Sequence, residues 1–590
     1  MAGHRGWIVA LIVVFGLAGA GLVVLGLLLS DHRAVVKPAT TLVLDFRDEV
    51  IEEPPVGARS RLFYKDTPTL WDYLRALDHA AKDKNVEAVL LKINGIDMGW
   101  AKSAELRDKL IDLQEHGKKV IAYIEGGEDQ DYLLASAADE IYMAPNTDLF
   151  LDGVASESMY LKGSLDKLGI QADMEHIGEY KDAAEPLTRT GASDASREAS
   201  NALLDETWNT IVSAIVDSRG MDSTAVAHLI NQGPLTSKQA YAAGLVDSLI
   251  YPDELDQLLP GGDGGERMDL VDYLATFPAV EGPPSAPKIA IVHASGTIVE
   301  GKSGTDPLWG RTVGSDSFLD ALDEARQEDG VKAIVVRIDS PGGEVYASHL
   351  MWRGIKQATG ELPVVASFSD LAASGGYYMA MGADTLISDD ATLTGSIGVV
   401  GGKFNLKGLY DKLGVNVETD SRGQNSTWLS SSRDFTPAER ERYVSEMFDE
   451  YRTFVGIVAD NRGQSSEDID KIARGRVWTG GQAYENGLID DIGGLEKSIE
   501  VAKVMAGFGK DAEVRVEIFP KVKRTFLSEM VSKVLSEDEI DDFSIARGGP
   551  NARLWNSWAR RPAELMGSPS RLARSRPLAL MPASPRRQWI

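Results

Sequence analysis

The sequence of 590 residues contains no cysteine and only eight histidines. Without cysteine there is no disulfide framework, no thiolate nucleophile and no cysteine metal site. Positive charge is also scarce: 61 Lys and Arg stand against 89 Asp and Glu, which leaves a net charge of −28. Binding to phosphates needs clustered Lys and Arg, so we expect no nucleic-acid partner. Hydrophobic residues at 43% and charged residues at 25% exclude a wholly disordered or multi-span membrane chain.

One long apolar run stands near the start of the chain. Residues 8–29 carry no charge, and at about 1.5 Å per residue a helix of that length spans roughly 33 Å, enough for a hydrocarbon core. A cleaved signal peptide, the alternative, has an apolar region of only about 7–15 residues. We therefore predict a retained single-pass anchor over residues 1–33. Arg5 before the run nearly balances Arg33 and Lys37 after it, so charge alone leaves the orientation open.

The other end of the chain has the opposite composition. Residues 546–590 hold nine Arg, six Pro and a single acid, Glu564. They show no sustained apolar period, which predicts a disordered Arg/Pro-rich tail. The alternative is a basic, Trp-bearing arm that rests on anionic lipid.

The chain contains an internal duplication. Residues 86–93 (VEAVLLKI) match residues 331–338 (VKAIVVRI) at an offset of 245, and residues 236–247 match residues 479–490 at an offset of 243. In each copy, short β-rich apolar runs alternate with helical patterns, which predicts a parallel sheet covered on both faces. We therefore expect two tandem α/β halves, residues 34–260 and 288–545, joined by a Gly- and Pro-rich linker over residues 261–287.

The two halves differ in a reciprocal way at two positions. Ser374 lies in a small-residue turn, ASGGY, just before a predicted helix, and its counterpart in the first half is Asp129. Lys181 lies in the first-half motif GEYKDAAEP, and its counterpart in the second half is Ser426. One half has kept the Ser without the Lys, and the other the Lys without the Ser. This pattern suggests that one catalytic pair is now shared between the halves.

The chemistry of the two residues supports the pairing. A Ser hydroxyl needs an adjacent base to act as a nucleophile. The last histidine of the chain, His349, precedes Ser374, so a Ser…Asp…His order is absent. Lys181 can serve as the base if its pKa falls from about 10.4 to near 7–8. A pocket closed between two halves can lower the pKa in this way, by desolvation. If the Ser-Gly-Gly motif is considered alone, the ordinary interpretation is a tight structural turn. If Lys181 is considered alone, the ordinary interpretation is a solvated surface lysine.

Two further turns fit such a site. The motif DSPGG, residues 339–343, directly follows a predicted strand, and Gly342 and Gly343 let backbone N–H groups approach a substrate carbonyl. The first half lacks the matching Pro and glycines. In the motif TGSIG, residues 394–398, Ser396 is placed to hydrogen-bond a neutral lysine amine. A plain structural turn is the alternative for both motifs.

Together these motifs resemble the bacterial signal peptide peptidase A (protease IV) family, in its long, duplicated, membrane-anchored form. The resemblance covers about residues 35–540; the Arg-rich tail is not part of it. It implies that Ser374 is the nucleophile, that Lys181 is the general base and that Ser396 hydrogen-bonds this lysine. It also implies that Gly342, Gly343 and Gly375 lie around the oxyanion hole.

The same resemblance implies a wider set of properties. The expected fold is a crotonase/Clp-protease type of α/β superhelix, assembled as a homotetrameric bowl that faces membrane lipid. The expected substrates are released signal peptides, and neither metal nor cofactor is expected. The expected location is the inner membrane, with the bulk of the chain in the periplasm. Two other functions stay open: a crotonase-type acyl-CoA enzyme, since Gly-rich oxyanion turns also serve thioester enolates, and a non-catalytic membrane scaffold.

Overall fold

The computed structural model describes residues 35–54, 67–280, 282–306, 310–521 and 578–580. The predicted anchor lies outside these residues, and so does the predicted tail apart from residues 578–580. Within the described ranges, no helix is long and apolar enough to cross a bilayer.

The first half is an α/β unit built on a parallel sheet. Its strands are β1 Thr40–Asp45, β2 Val86–Ile93, β3 Lys119–Ile124, β4 Gly127–Glu128, β5 Glu140–Met143, β6 Asp148–Phe150, β7 Gln171–Ile177, β8 Leu235–Thr236, β9 Ser248–Leu249 and β10 Arg267–Asp269. Its helices are α1 Leu70–Lys82, α2 Trp100–Glu115, α3 Asp129–Ala135, α4 Lys162–Leu168, α5 Glu185–Thr188, α6 Asp194–Arg219, α7 Ser223–Ile230, α8 Ser237–Ala242, α9 Pro252–Leu258 and α10 Leu270–Leu274. The sheet has the order β10-β1-β2-β3-β5-β9, and β4, β6 and β8 form a small second sheet.

The second half repeats this plan. Its strands are β11 Lys288–Ser295, β12 Thr297–Val299, β13 Gly304–Asp306, β14 Gly310–Gly314, β15 Val331–Ser340, β16 Gly342–Glu344, β17 Val364–Ala373, β18 Thr385–Ser388, β19 Leu393–Gly395, β20 Val399–Asn405, β21 Val477–Thr479, β22 Asp491–Ile492 and β23 Arg515–Phe519. Its helices are α11 Ser315–Gln327, α12 Val345–Ala358, α13 Gly375–Ala380, α14 Lys407–Leu413, α15 Pro437–Arg462, α16 Ser466–Ile472, α17 Gly480–Glu485 and α18 Leu495–Met505. The main sheet has the order β21-β19-β17-β15-β11-β23, with β18 beside β17. The prediction of a duplicated α/β chain is confirmed.

The joint between the halves is more structured than its composition predicts. Within residues 261–287, β10 pairs in parallel with β1 at the edge of the first sheet. Met268, Leu270 and Tyr273 are buried there. These apolar side chains lie between two Gly- and Pro-rich stretches, and the composition of those stretches led to the prediction of a linker. The residues between them instead form a strand and a helix that complete the first half.

The two halves are joined by strand pairing and by a shared apolar cluster. β7 of the first half and β20 of the second pair antiparallel over seven residues, from Gln171 opposite Asn405 to Ile177 opposite Val399. Helix α18 packs Leu495 and Ile499 into the same apolar cluster as Leu106 of α2. Burial of this continuous apolar surface is the main force that fixes one half against the other.

A third sheet combines strands from distant parts of the chain. Its order is β13-β14-β12-β16-β24-β20-β7, where β24 is Leu578–Leu580. This strand lies within residues 546–590, for which composition predicts disorder. At residues 578–580 the structure differs from that prediction, because a short apolar stretch finds strand partners far away in the sequence.

Candidate active site

Ser374 occupies a strained turn between β17 and α13. Its φ is +54°, in a region that non-glycine residues rarely adopt. Its backbone N–H donates to the Gly395 carbonyl at 2.8 Å, and its own carbonyl accepts from the Tyr378 N–H at 2.8 Å. Held on both sides, the turn keeps the hydroxyl at the start of α13, and the side chain is fully buried.

Lys181 reaches this turn from the other half of the chain. It lies four residues beyond β7, and the Tyr180 N–H donates to the Arg474 carbonyl at 2.9 Å. Two glycines allow the Lys181 turn and the segment around Arg474 to lie close together. A Cβ on Gly178 would lie 2.3 Å from the carbonyl carbon of Arg474, and a Cβ on Gly475 would lie 2.5 Å from the Lys181 nitrogen. Side chains at these two positions would push the lysine turn away from the second half.

The amine of Lys181 has three close polar neighbours. Its Nζ lies 2.8 Å from Ser374 Oγ, 2.8 Å from Ser396 Oγ and 2.9 Å from the Ser396 carbonyl oxygen. A neutral amine has two N–H groups and one lone pair. It can donate to both oxygens of Ser396 and accept the Ser374 hydroxyl proton, so the contacts suit a base.

Burial sets the charge state of this lysine. Lys181 is fully buried, and desolvation lowers its pKa well below the ordinary value, while the nearby Asp182 acts in the opposite sense. Burial in turn raises the pKa of Asp182, whose carboxylate accepts a hydrogen bond from Ser196. The pocket therefore favours the uncharged form of the amine, which is the form that a general base needs.

Backbone strain is concentrated around the lysine. In the described part of the chain, five non-glycine residues have positive φ, and three of them surround Lys181: Ser374, Ser396 at +53° and Arg474 at +52°. The Ser396 N–H donates to the Arg476 carbonyl at 2.7 Å, which holds its turn. Strain of this kind costs on the order of 1–3 kcal/mol per residue and collects where function requires a particular geometry.

The three glycines assigned to the oxyanion hole lie together beside Ser374. Gly342 has a φ of +97°, and a Cβ on Gly343 would lie 2.0 Å from the Ile298 carbonyl oxygen. A Cβ on Gly375 would lie 3.0 Å from the Gly343 nitrogen, so β16 contacts the serine turn. The Gly342 N–H already donates to Ser340 Oγ at 3.2 Å. The geometry therefore favours Gly343 and Gly375 as donors over Gly342.

Comparison with known proteins places the chain in a family. The model of the family described as "Peptidase family S49" matches the chain twice, at residues 112–259 and 356–508. The chain belongs to peptidase family S49. It is therefore a serine protease that acts on peptides, and the double match follows the internal duplication.

Relatives of this S49 peptidase match most of its length. It is 33% identical to "Serine protease SPPA, chloroplastic" of Arabidopsis thaliana, over 80% of this chain and 72% of the relative. It is 30% identical to "Protease 4" of Haemophilus influenzae, over 85% of this chain and 84% of the relative. "Putative signal peptide peptidase SppA" of Enterococcus faecium is 30% identical over 46% of this chain and 81% of its own length. That last relative matches less than half of this chain.

The counterparts of Ser374 and Lys181 in the other half make different contacts in this S49 chain. Asp129, at the place of Ser374, is buried and accepts from the Gly153 N–H at 3.2 Å, and burial raises its pKa to about 7. Ser426, at the place of Lys181, is exposed, and its hydroxyl donates to the Gly423 carbonyl at 2.9 Å. Ser426 therefore lacks the burial of Lys181, and Asp129 is buried like Ser374 but makes a different contact.

A buried charge cluster beneath the S49 site escaped the sequence analysis. Arg337 is fully buried and binds Glu52 through two contacts of 3.1 and 2.9 Å and Glu105 at 2.6 Å. Burial alone would raise the pKa of Glu52, but Arg337 and Lys102 hold it at about 2. The cluster joins a strand of the second half to two acids of the first half, and no local sequence pattern reports such a long-range contact.

Lys102 extends this link to the turns that hold Gly342 and Ser374. Its Nζ lies 3.2 Å from a carboxylate oxygen of Asp339 and 3.0 Å from one of Asp370. Asp339 opens the DSPGG motif, and Asp370 lies four residues before Ser374. A first-half lysine thus links the segment that precedes Gly342 and Gly343 to the segment that precedes Ser374. Asp339 belongs to the DSPGG motif, which the sequence analysis identified. No sequence pattern around Lys102 predicted that it would contact this motif.

A cavity of about 770 Å³ lies beside the dyad, between the halves. Its lining includes Tyr180, Asp182, Ser196, Asp339 and Asp370. The side chains of Ser374, Lys181 and Ser396 do not line it, since all three are fully buried. The cavity therefore marks the cleft between the halves, and these three side chains lie behind its wall.

Proposed function

We propose that this chain is a membrane-anchored endopeptidase that degrades released signal peptides and other apolar peptides with a Ser374/Lys181 dyad. The observation that carries the proposal is the 2.8 Å contact between Lys181 Nζ and Ser374 Oγ in a fully buried pocket. A buried, uncharged lysine supplies the base that a Ser hydroxyl needs, and family S49 accounts for the reaction class.

The proposed reaction follows from the contacts. Neutral Lys181 takes the hydroxyl proton while Ser374 Oγ attacks the peptide carbonyl carbon. The N–H groups of Gly343 and Gly375 stabilise the oxyanion. The protonated lysine then gives its proton to the leaving amine as the C–N bond breaks. A water molecule, activated by the same lysine, hydrolyses the acyl-enzyme. Ser396 positions the amine throughout with its hydroxyl and carbonyl oxygens.

The substrate class and the location rest on two supports. The Enterococcus faecium relative is named a putative signal peptide peptidase, and residues 8–29 have the length and composition of a membrane span. An anchor that holds the site near a bilayer raises the effective concentration of peptides left there. We place the bulk of the chain on the periplasmic side of the inner membrane, as a homotetramer with a crotonase/Clp-type superhelical fold, in keeping with the resemblance.

The two alternative functions are disfavoured for different reasons. A crotonase-type acyl-CoA enzyme needs no Ser–Lys pair, and the chain matches a peptidase family. A non-catalytic scaffold would have no use for a desolvated lysine beside a strained serine. Conversion of a CoA thioester, without peptide hydrolysis, would favour the acyl-CoA enzyme.

Labelling with a fluorophosphonate tests the proposal. The reagent reacts with an activated serine, so we expect wild type to be labelled and Ser374→Ala to stay unlabelled. Lys181→Ala should be labelled at least about 10²-fold more slowly, because the base is lost. Two exposed positions provide matched controls, Ser426→Ala and Lys167→Ala, and both should label as wild type. Equal labelling of wild type and Ser374→Ala would refute the assignment.

A further inference from the structure

The two halves of the chain link matching strand ends in different ways. At the offset of 245, Asn94 and Glu125 of the first half correspond to Asp339 and Asp370 of the second. In the first half, the Asn94 amide donates directly to the Glu125 carboxylate at 3.2 Å. In the second half both positions are acids, and two ionised carboxylates have no proton to share in a hydrogen bond. This pair therefore depends on a cation from elsewhere in the chain.

Lys102 of the first half supplies that cation. Its Nζ lies 3.2 Å from Asp339 Oδ2 and 3.0 Å from Asp370 Oδ2, and its side chain is only 8% exposed. The matching residue of α12 in the second half is Ala347, which has no charge to offer. The first half thus contributes two buried lysines to the surroundings of Ser374, the second of them being Lys181.

The two lysines have opposite charge states. Burial alone would lower the pKa of Lys102, but Asp339, Asp370 and Glu52 raise it above its ordinary value. Burial lowers the pKa of Lys181 well below its ordinary value. Lys102 therefore stays protonated, which suits it to hold two carboxylates together and not to act as a general base.

The acids that Lys102 joins lie where the pairing of β15 with β17 is interrupted. Along β15 the paired residues are Ile338 and then Ser340, but along β17 they are Phe368 and then Ala372. Three residues of β17 therefore stand opposite one residue of β15. Extra residues of this kind disrupt the ladder and bend the strand. The contacts of the lysine with the two acids span this interruption.

The interruption lies directly before the groups of the active site. Gly343 stands four residues after Asp339, and Ser374 stands four residues after Asp370. A Cβ on Gly375 would lie 3.0 Å from the Gly343 nitrogen, so the two turns are in contact. The relative position of the two strand ends therefore sets the place of the Gly343 N–H beside the nucleophile, on which an oxyanion hole depends.

The backbone of α2 holds one of the two acids independently of the lysine side chain. The N–H groups of Gly99 and Lys102 donate to the Asp370 carboxylate at 3.2 and 3.1 Å. A Cβ on Gly99 would lie 2.0 Å from Asp370 Cγ, so this contact is close. The lysine side chain is then the part that brings Asp339, and with it the segment leading to Gly343, against the nucleophile segment.

We propose that Lys102 is a positioning residue, which binds two acids together and so sets the oxyanion donor of Gly343 beside Ser374; this rests on the function proposed above. The lysine forms and breaks no covalent bond in the reaction. It acts through the Gly343 N–H, which meets the oxyanion when Ser374 Oγ attacks the peptide carbonyl carbon. Loss of the lysine should therefore slow the chemical step and leave the pKa of Lys181 unchanged.

The kinetics of Lys102→Met test this proposal. Methionine keeps an unbranched side chain and removes the charge. We expect kcat for an apolar reporter peptide to fall at least about 10-fold, since a displacement of about 1 Å can cost on the order of 10²-fold in rate. KM should stay within about 2-fold of wild type, because the lost interaction acts in the transition state. The apparent pKa of the pH–rate profile should stay at its wild-type value.

Lys109→Met is the matched control. Lys109 lies on the same helix, its side chain is also 8% exposed, and its Nζ lies 2.5 Å from Asp78 and 2.9 Å from Glu496 of the second half. This variant also removes a buried cation between two acids, one from each half, but these acids belong to neither turn of the active site. We expect a similar loss of thermal stability and a wild-type kcat. An equal fall of kcat in both variants would assign the effect to loosening of the halves and overturn the proposal.

A second variant breaks the same link from the other side. Asp339→Ala removes one acid and leaves Lys102 paired with Asp370, so no buried charge loses its last partner. It should lower kcat at least about 10-fold with the same KM and pH profile, and it serves alone if Lys102→Met does not fold. Circular dichroism confirms folding of each variant.

The outcomes separate this proposal from the function on which it rests. Wild type that hydrolyses the reporter peptide, together with a folded Lys102→Met or Asp339→Ala of wild-type kcat, would overturn the positioning role alone. A loss confined to KM, or a shifted pH profile, would also overturn it. Wild type that hydrolyses no peptide would count against the proposed function itself.

Discussion

Lys181 Nζ lies 2.8 Å from Ser374 Oγ although the two residues stand 193 positions apart, one in each half of a duplicated chain. The contact depends on the antiparallel pairing of β7 with β20, which carries the end of a first-half strand to the second-half site. Each half alone holds one member of the pair. A site built on this contact therefore needs both halves of the chain.

Substitution of either dyad residue should abolish hydrolysis without unfolding the protein. Ser374→Ala removes the nucleophile and Lys181→Ala removes the base, and we expect kcat/KM for an apolar peptide to fall by about 10²–10⁴-fold or more. Lys181→Arg should be equally inactive, because a guanidinium does not lose its proton in this range. Circular dichroism checks folding. A folded variant with near-wild-type hydrolysis would rule out the dyad.

Activity should rise with pH through the pKa of Lys181. Burial lowers this pKa in the folded enzyme, and the neutral amine that serves as base is the dominant form above it. The measurement is kcat/KM between pH 5 and 9, with folding monitored at each point. A rate that falls steadily over this range while the protein stays folded would contradict a lysine base.

The same pKa shift predicts how stability depends on pH. Between the lowered folded pKa and the unfolded value of about 10.4, the unfolded chain binds one more proton at Lys181 than the folded chain. The free energy of unfolding should therefore rise with pH in this window, by about 1.4 kcal/mol per pH unit from this group. Lys181→Met removes the titrating group, so its stability should rise less between pH 7 and 9. Equal slopes for the two proteins would show that the amine keeps its ordinary pKa.

The sequence predicts the contact between Ser374 and Lys181 better than it predicts the surroundings of these two residues. Ser374 and Lys181 could be found because the duplication provides an internal comparison, in which each half shows what the other has lost. Arg337 and Glu52 offer no such comparison. They stand 285 positions apart, and periodicity reports only local structure. The strand Leu578–Leu580 was missed for a related reason: its pairing partners are remote, and an apolar stretch of this length is too short to outweigh the Arg and Pro around it.

Loss of Arg337 should destabilise the protein strongly. Arg337→Met would leave Glu52 and Glu105 buried without their shared cation, which costs about 3–5 kcal/mol in comparable buried pairs. The pKa of Glu52 would then rise above its unfolded value, so the loss should be smaller at acid pH, where the carboxyl is protonated. Arg326→Met, at the more exposed pair with Glu361, is the matched control and should cost at most about 1 kcal/mol. Urea unfolding at pH 5 and pH 8 measures both effects, and equal costs for the two variants would contradict a structural role for the cluster.

A methyl group at Gly475 should impair catalysis by moving the lysine. The Cβ of Gly475→Ala would lie 2.5 Å from the Lys181 nitrogen, so the turn that holds the amine against Ser374 has to shift. Displacement of a catalytic group by about 1 Å can cost on the order of 10²-fold in rate. Gly414→Ala separates this effect from backbone strain: its φ of +69° is similar to the +81° of Gly475, but no atom lies within 4 Å of the added Cβ. We expect both variants to lose stability, since alanine is strained at positive φ, and Gly475→Ala alone to lose kcat. Peptide hydrolysis and thermal unfolding of the two variants decide the matter, and a parallel loss of kcat in Gly414→Ala would assign the effect to strain instead of to the position of Lys181.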